Sequence, residues 1–294
     1  MLPLVALLMS AAVSYLGPPG TFTYEAAVAH FGPKAEFVAQ PTIEDVFGAV
    51  EAGSTTYGLV PFENSNAGTV SATLDRFLTI PTNSNVQIVD QHYLPISQCL
   101  LSNSESLAAV TRVYSHPMGF NQCRQWLHRH LPNAEQIEVA STAKAAQMAA
   151  AINESRSAAA IGNTAATKFI DIKLMARDIQ DHDGNITRFF VLSHQPSKPT
   201  GTDLTFLYFT VDHRSPGALH QALASFADHG VNLTKIDTRP THRGPWNYYF
   251  FIECTGHQHD RAIQQALQQL QQHSVQIVVL GSYPMYAEHH LSAP

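Results

Sequence analysis

The chain has 294 residues, of which 45% are hydrophobic and only 14% are charged; this balance provides for a sizeable core and excludes a disordered, charge-rich protein. The formal net charge is −6, and the 17 Lys and Arg residues are scattered without a run, which excludes a nucleic-acid binder, because such proteins carry a basic stripe. Three cysteines without a CxxC spacing, Cys99, Cys123 and Cys254, argue against a disulfide framework and favour a reducing compartment.

An apolar run from Leu2 to Met9 opens the chain and is followed by Ser10, Ala11 and Ala12. Such a small-residue triplet is typical of a signal-peptidase site, but no Lys or Arg precedes the run, and 12 residues are fewer than the roughly 15–30 of a signal peptide. We expect residues 1–12 to be an apolar extension of a cytoplasmic protein, with secretion as the alternative. No other segment approaches the ~18 apolar residues of a membrane span, so no membrane partner is expected.

From residue 13 to residue 193, short apolar strands alternate with helical patterns. Thr42, with Asp45 three residues later, has the pattern of a helix N-cap. This β-then-α order predicts α/β architecture with mostly parallel sheets, in which ligands bind at the carboxyl ends of strands. The predicted strands are 13–16, 57–60, 86–89, 96–101, 113–114 and 158–161, and the predicted helices are 24–30, 43–52, 69–78, 120–130 and 142–152.

Residues 194–202, rich in proline and hydroxyl side chains, predict a linker between two domains. The following module, residues 203–286, has the order βαββαβ, which is typical of a ferredoxin-like α+β fold. Residues 287–294 form a tail. The predicted strands of the module are 204–211, 233–237, 248–254 and 275–280, and its predicted helices are 218–229 and 259–273.

Four polar segments, 17–23, 61–69, 115–122 and 183–189, lie at strand ends in the first region. Turns of this kind present backbone N–H groups and hydroxyls to an anion, although each alone is also compatible with an ordinary turn. Together they indicate a cleft for a small polar anion. Nucleotide, zinc-protease and serine-hydrolase motifs are absent from the sequence, and the pair His257 and His259 matches no complete ligand set, so no metal site is expected.

Several of these segments resemble the prephenate dehydratase family: YLGPPGTFTYEAA at 15–27, VPFENSNAG at 60–68, SHPMGFNQC at 115–123 and, above all, NITRFFVL at 185–192. The second module resembles the ACT regulatory domain, through GALH at 217–220 and NLTKIDTRP at 232–240. No helical chorismate mutase segment precedes residue 13, so the resemblance is to the monofunctional form. It implies two α/β lobes around a cleft, similar to type II periplasmic binding proteins.

The family reaction converts prephenate to phenylpyruvate, carbon dioxide and water without a cofactor, because forming the aromatic ring drives it. Carried over by motif, Thr187 hydrogen-bonds the leaving hydroxyl. Two roles are open for Arg188: it binds a substrate carboxylate, or it pairs with Glu63 or an aspartate and holds the cleft wall. Phe189 is expected to pack. The expected substrate-binding residues are Thr21, Asn64, Ser65, Ser115, Gln122 and Arg188.

The resemblance also implies that phenylalanine binds between paired ACT domains of a homodimer or homotetramer and inhibits the enzyme. This chain has Asp-Thr-Arg-Pro at 237–240 where the family usually has Glu-Ser-Arg-Pro, which leaves open a module that only holds the oligomer together. Arogenate dehydration and non-catalytic anion binding remain alternative functions. The expected effector residues are Gly217, Ala218, Leu219, Asn232, Thr238 and Arg239.

Overall fold

Three β-sheets organise the chain in a computed structural model, which describes residues 11–81, 84–151, 157–241 and 244–286. The expected tail at 287–294 and most of the expected extension at 1–12 lie outside these residues. In chain order the elements are β1 (Ala12–Leu16), α1 (Phe22–Phe31), β2 (Glu36–Gln40), α2 (Ile43–Glu51), β3 (Tyr57–Asn64), β4 (Gly68–Thr69), α3 (Ser71–Leu78), β5 (Gln87–Pro95), β6 (Cys99–Ser102), β7 (Arg112–Ser115), α4 (Pro117–Gln122), α5 (Arg124–His130), β8 (Glu135–Glu138), α6 (Thr142–Ala151), β9 (Ala158–Gly162), β10 (Leu174–Ala176), β11 (Ile186–Ser193), β12 (Asp203–Thr210), α7 (Ala218–Ala227), β13 (Leu233–Pro240), β14 (Tyr248–Thr255), α8 (Arg261–His273) and β15 (Gln276–Pro284).

The first two sheets form two lobes. The first lobe has the strand order β2-β1-β3-β11-β5, with β4 paired to β3, and the second has the order β10-β6-β9-β7-β8. The prediction of mostly parallel sheets is wrong for part of each lobe. Strand β11 runs antiparallel to β3 and β5, and β6 runs antiparallel to β9. The reason is that the chain crosses between the lobes twice, so β6 and β11 each begin beside the ends of the strands that they join.

The predicted helix 120–130 is two helices, α4 and α5, which meet at Cys123. Asp181 supplies the physical reason, because its carboxylate accepts hydrogen bonds from the Gln125 and Trp126 backbone N–H groups at 2.9–3.1 Å and so begins a new helix. Because Asp181 lies 56 residues away from Gln125 along the chain, the sequence around Cys123 contains no local signal for the start of α5. The predicted N-cap Thr42 is confirmed, since its Oγ1 accepts from the Asp45 N–H at 3.1 Å.

The carboxyl-terminal module is a four-stranded antiparallel sheet of order β13-β14-β12-β15, and its βαββαβ order is confirmed. Helices α7 and α8 cover one face, where Phe209, Phe226 and Ile252 are buried. The opposite face packs on the first lobe, and the Phe206 ring lies 5.2 Å from the Phe62 ring. The module is therefore part of one continuous core with the first lobe. No helix in the described ranges is long and apolar enough to cross a bilayer.

Two histidines, His30 on α1 and His92 on β5, lie near the contact between the first lobe and the module. Their rings are 5.5 Å apart, and His30 Nε2 is 3.5 Å from Asp90 Oδ2. The Tyr286 hydroxyl donates to Asp90 Oδ1 at 2.7 Å. Burial lowers the pKa of both histidines, that of His92 to about 4. Both rings are therefore neutral in the folded protein at neutral pH.

We expect the free energy of unfolding to fall as the pH drops from about 6.5 towards 4. In that window the unfolded chain binds protons at His92 that the folded protein excludes, at up to about 1.4 kcal/mol per pH unit for each proton. Urea unfolding at pH 7 and pH 5 measures the change, and a His92→Gln variant should lose part of this pH dependence. An equal slope in the variant would contradict the assignment to His92.

Candidate active site

A cleft with a volume of about 340 Å³ lies between the two lobes, within the range of small-ligand sites. Two segments join the lobes, one between β5 and β6 and the other between β10 and β11, and they are hydrogen-bonded to each other beside the cleft. Ile96 N–H donates to the Asn185 carbonyl at 2.7 Å, and Ile179 N–H donates to the Gln98 carbonyl at 2.9 Å. The cleft lies where β1, β3 and β7 end and β11 begins, as the sequence predicted for the polar segments.

Thr187 and Asn64 form a hydrogen-bonded pair in the cleft wall. The Asn64 Nδ2 amide donates to Thr187 Oγ1 at 3.0 Å and to Asn185 Oδ1 at 2.6 Å. Asn64 Oδ1 accepts from the backbone N–H groups of Asn66 and Ala67, both at 3.0 Å, which fixes which end of the amide faces Thr187. An amide nitrogen can only donate, so the Thr187 oxygen is the acceptor and its own proton is left to point at a ligand.

Arg188 does not enter the cleft. Thr187 and Phe189 line it, and Arg188 between them points to the opposite side of β11, as alternation along a strand requires. Its guanidinium pairs with Glu63 at 3.0 Å and with Glu253 of the module. Of the two roles left open by the sequence, the structure therefore favours the wall-holding pair over contact with a substrate carboxylate.

Two helices of ten residues each begin at the cleft. Thr21 caps α1, since its Oγ1 accepts from the Tyr24 N–H at 3.3 Å and donates to the Leu16 carbonyl at 3.2 Å. Ser141 Oγ accepts from the Lys144 N–H at 3.1 Å at the start of α6. Thr21 and Ser141 both line the cleft. The partial positive charge of two helix N-termini therefore favours an anionic ligand there.

His116 is a cleft residue that the sequence analysis did not single out. It caps α4, with Nδ1 accepting from the Met118 N–H at 3.2 Å, so a neutral ring carries its proton on Nε2. Burial lowers the pKa of His116, against a smaller opposing effect of Glu138. The ring is thus a neutral hydrogen-bond donor. The Ser-His-Pro segment was the available signal, because proline at the first helical position marks the residue before it as an N-cap.

The three remaining predicted residues differ in their placement. Gln122 lines the cleft, and its Oε1 accepts from Gln98 Nε2 at 2.8 Å, which leaves its own amide N–H groups for a ligand. Ser115 is fully buried outside the lining, with its Oγ 3.5 Å from the Ile161 carbonyl. Ser65 is exposed and accepts from the Ile186 N–H at 3.0 Å, so it joins the end of β3 to the start of β11.

A second cavity of about 410 Å³ adjoins the cleft and shares Met118 and Gln122 with it. Asn185 lines the second cavity and Gln98 lines the cleft, and each has one buried polar atom, Nδ2 and Oε1 respectively, without a hydrogen-bond partner within the described ranges. Buried polar groups are normally paired. The protein around the two cavities therefore leaves these two side chains incompletely hydrogen-bonded.

The family model of prephenate dehydratase matches residues 13–197, and that of the ACT domain matches residues 205–272. The chain belongs to the prephenate dehydratase family. It is 43% identical over 272 residues to the bifunctional chorismate mutase/prephenate dehydratase of Aquifex aeolicus, which covers 92% of this chain and 73% of that protein. It is 34% identical over 279 residues to the prephenate dehydratase of Lactococcus lactis subsp. cremoris, covering 94% and 98% of the two chains.

The structure of prephenate dehydratase from Arthrobacter aurescens in complex with L-Phe matches with a TM-score of 0.84 at 31% identity, covering 93% of this chain and 90% of that one. The predicted fold class, a two-lobed α/β region followed by an ACT domain, is confirmed.

The residues expected to bind an effector lie at different places on the ACT domain. Gly217 precedes α7 with a φ of 79°, and a Cβ built there meets nothing within 4 Å. Asn232 lies beyond the other end of the same helix and is exposed. Thr238 is exposed on β13, whereas Arg239 faces the first lobe and forms a double ion pair with Asp75 at 2.5 and 2.6 Å. Ala218 is buried and Leu219 half-buried at the start of α7.

Proposed function

We propose that this protein is a prephenate dehydratase, which converts prephenate to phenylpyruvate, carbon dioxide and water. The observation that carries the proposal is the Thr187 hydroxyl, whose oxygen is held by the Asn64 amide so that its proton is free in an anion-binding cleft.

In the reaction, the bond between the ring and its carboxylate breaks, and the electron pair moves through the ring as the hydroxyl at the opposite carbon leaves. Thr187 donates a hydrogen bond to that leaving oxygen and so stabilises the charge developing on it. A threonine hydroxyl is too weak an acid to release its proton outright, so it polarises the leaving group or relays a proton to it. His116, a neutral donor in the same cleft, is suited to share this task.

The helix N-termini at Thr21 and Ser141, together with the Gln122 amide, are placed to hold the two substrate carboxylates. Asn64 orients Thr187. Ser115 and Ser65 act behind the cleft surface, Ser65 by bracing the β3 end against Ile186. These assignments rely on neutral donors and helix dipoles rather than on the guanidinium of Arg188.

The decisive experiment measures product formation by the purified protein from prephenate and from arogenate, each with and without phenylalanine. Phenylpyruvate formed from prephenate is the expected result. Turnover of arogenate alone would instead assign an arogenate dehydratase. No turnover of either, with retained binding of prephenate by calorimetry, would assign a non-catalytic anion-binding protein.

Phenylalanine is the proposed effector, bound between paired ACT domains of a homodimer or homotetramer. The α7 helix of ten residues, about 15 Å long, separates Gly217 from Asn232, so one amino acid contacts both only if they come from two domains. The L-Phe complex of the Arthrobacter aurescens relative supports the ligand. Exposed Ile236 on β13 and Trp246 in the loop after it, 50% and 81% exposed, support pairing at this edge.

A cytoplasmic location is also proposed. All three cysteines are free and buried, and burial raises the pKa of the Cys123 and Cys254 thiols to about 12. Unpaired thiols are the usual state in a reducing compartment.

Gly217→Val should abolish phenylalanine inhibition and leave the uninhibited activity within about threefold, since a coupling of 1–3 kcal/mol is lost without a change in the cleft. Inhibition curves on wild type and variant measure this. Gly53→Val is the matched control, because Gly53 also has positive φ and open space but lies in the first lobe; it should remain inhibited. If calorimetry detects no phenylalanine binding to the wild-type protein, the effector role is wrong and the ACT domain serves only to hold the oligomer together.

A further inference from the structure

The wall that carries Thr187 has a β-bulge. Arg188 on β11 lies opposite Glu63 on β3, but the next residue, Phe189, lies opposite Pro61, so Phe62 is the extra residue of β3. Such a bulge turns two consecutive side chains to the same side of the sheet. Phe62 and Glu63 accordingly both face the ACT domain, whereas the residues on either side of them, Pro61 and Asn64, both line the cleft.

The Arg188 side chain is held on the ACT side of this bulge. It is only 5% exposed, and its guanidinium lies 5.3 Å from the Phe62 ring centroid and 5.9 Å from that of Tyr283. Its Nη1 donates to Glu63 Oε1 at 3.0 Å, and its Nη2 donates to Glu253 Oε2. The Tyr283 hydroxyl donates to the same Glu253 oxygen at 2.9 Å.

The other oxygens of both glutamates are also occupied by ACT residues. Lys235 Nζ donates to Glu63 Oε2 at 2.6 Å, and Thr234 Oγ1 donates to Glu253 Oε1 at 2.6 Å. Each carboxylate that holds Arg188 is thus itself held by the regulatory domain. Glu253 is 3% exposed, so in a low-dielectric setting its charge interacts strongly with the guanidinium.

We propose that Glu253 of the ACT domain is a positioning residue for catalysis, acting through Arg188 and the bulge on the Thr187 hydroxyl. The proposal rests on the proposed function. Arg188 and Glu63 are the backbone neighbours of Thr187 and Asn64, the hydrogen-bonded pair on the cleft side. A change in the position of the Arg188 guanidinium therefore shifts β11, and with it the orientation of the Thr187 hydroxyl.

Loss of the ion pair between Arg188 and Glu253 should affect the chemical step rather than substrate binding. The groups assigned to the substrate carboxylates lie at the starts of α1 and α6 and at Gln122, and none of them contacts the Arg188 cluster. A misplaced Thr187 hydroxyl weakens a contact made in the transition state, which lowers kcat. KM should therefore stay near its wild-type value.

Steady-state kinetics of prephenate dehydration by the full chain test this with Glu253→Gln, which keeps the side-chain shape and removes the charge. We expect kcat to fall at least about fivefold with KM within about twofold, as for residues that are coupled by contact. In a Thr187→Ala background the same substitution should change kcat by less than about twofold, because no hydroxyl remains to be misplaced. An equal fractional loss in both backgrounds would overturn the proposal, since Glu253 would then act otherwise than through Thr187.

Asp75→Asn is the matched control, because it breaks the Arg239–Asp75 pair at the same domain interface without touching Arg188; kcat should stay within about twofold. Lys235→Met covers the case in which Glu253→Gln does not fold, since Lys235 is more exposed. It should lower kcat about two- to threefold, again only when Thr187 is present.

If Glu253→Gln folds and its kcat is unchanged, or if only Lys235→Met folds and its kcat is unchanged, the inference is overturned. Turnover by the wild-type protein would still uphold the proposed function. No turnover by the wild-type protein would overturn both.

Discussion

Thr187→Ala should lower kcat for prephenate by at least ~100-fold, the usual cost of removing one donor aimed at developing negative charge. The Asn64 amide would then face a methyl group, and the leaving oxygen would lose its hydrogen-bond donor. Steady-state assays of phenylpyruvate formation measure the loss.

Two further variants separate the hydroxyl from the shape of the side chain. Thr187→Ser keeps the hydroxyl and should retain more activity than the alanine variant. Thr187→Val keeps the branched shape and β-propensity but lacks the hydroxyl, so it should be as inactive as Thr187→Ala. Valine activity close to wild type would contradict a role for the hydroxyl in the chemistry.

Gly281→Ala should be strongly destabilising, by about 4 kcal/mol or more, the range of severe steric and backbone strain. Gly281 is on β15, where the ACT domain meets β5 of the first lobe, and a Cβ there would lie 2.1 Å from the Ile88 carbonyl oxygen and 2.7 Å from its nitrogen. These are backbone atoms of a paired strand, so neither can move aside. Its φ of 148° adds strain for any other residue.

Urea unfolding followed by circular dichroism measures this loss. Gly201→Ala is the control, because Gly201 also has positive φ but nothing within 4 Å of its Cβ position; its cost should be about 1–2 kcal/mol. Equal midpoints for the two variants would show that the close approach at Ile88 relaxes at little cost.

Local patterns in the sequence predicted those features that depend on neighbouring residues. The N-cap at Thr42 and the order of elements in the ACT domain follow from side chains within a few positions of each other. The motif around Thr187 placed that residue in the cleft wall. Such features are determined by hydrogen bonds and periodicities over one or two turns.

Features determined by distant partners were not predictable in the same way. The partners that hold Arg188, Glu63 and Glu253, lie 125 and 65 residues away along the chain, and the start of α5 depends on Asp181. Ser65 resembles a binding residue in its motif, yet pairing with β11 uses its hydroxyl. Contacts between residues that are distant along the chain decide each case, and a single sequence carries no direct record of them.

Alternation along β11 makes the Thr-Arg-Phe triplet intolerant of changes in length. A strand that loses or gains one residue turns every later side chain to the other face. A deletion ahead of Thr187 within β11 would place the guanidinium in the cleft and the hydroxyl among the rings of Phe62 and Tyr283. Each face of this strand can therefore vary by substitution, whereas a change of length within the strand exchanges its two faces.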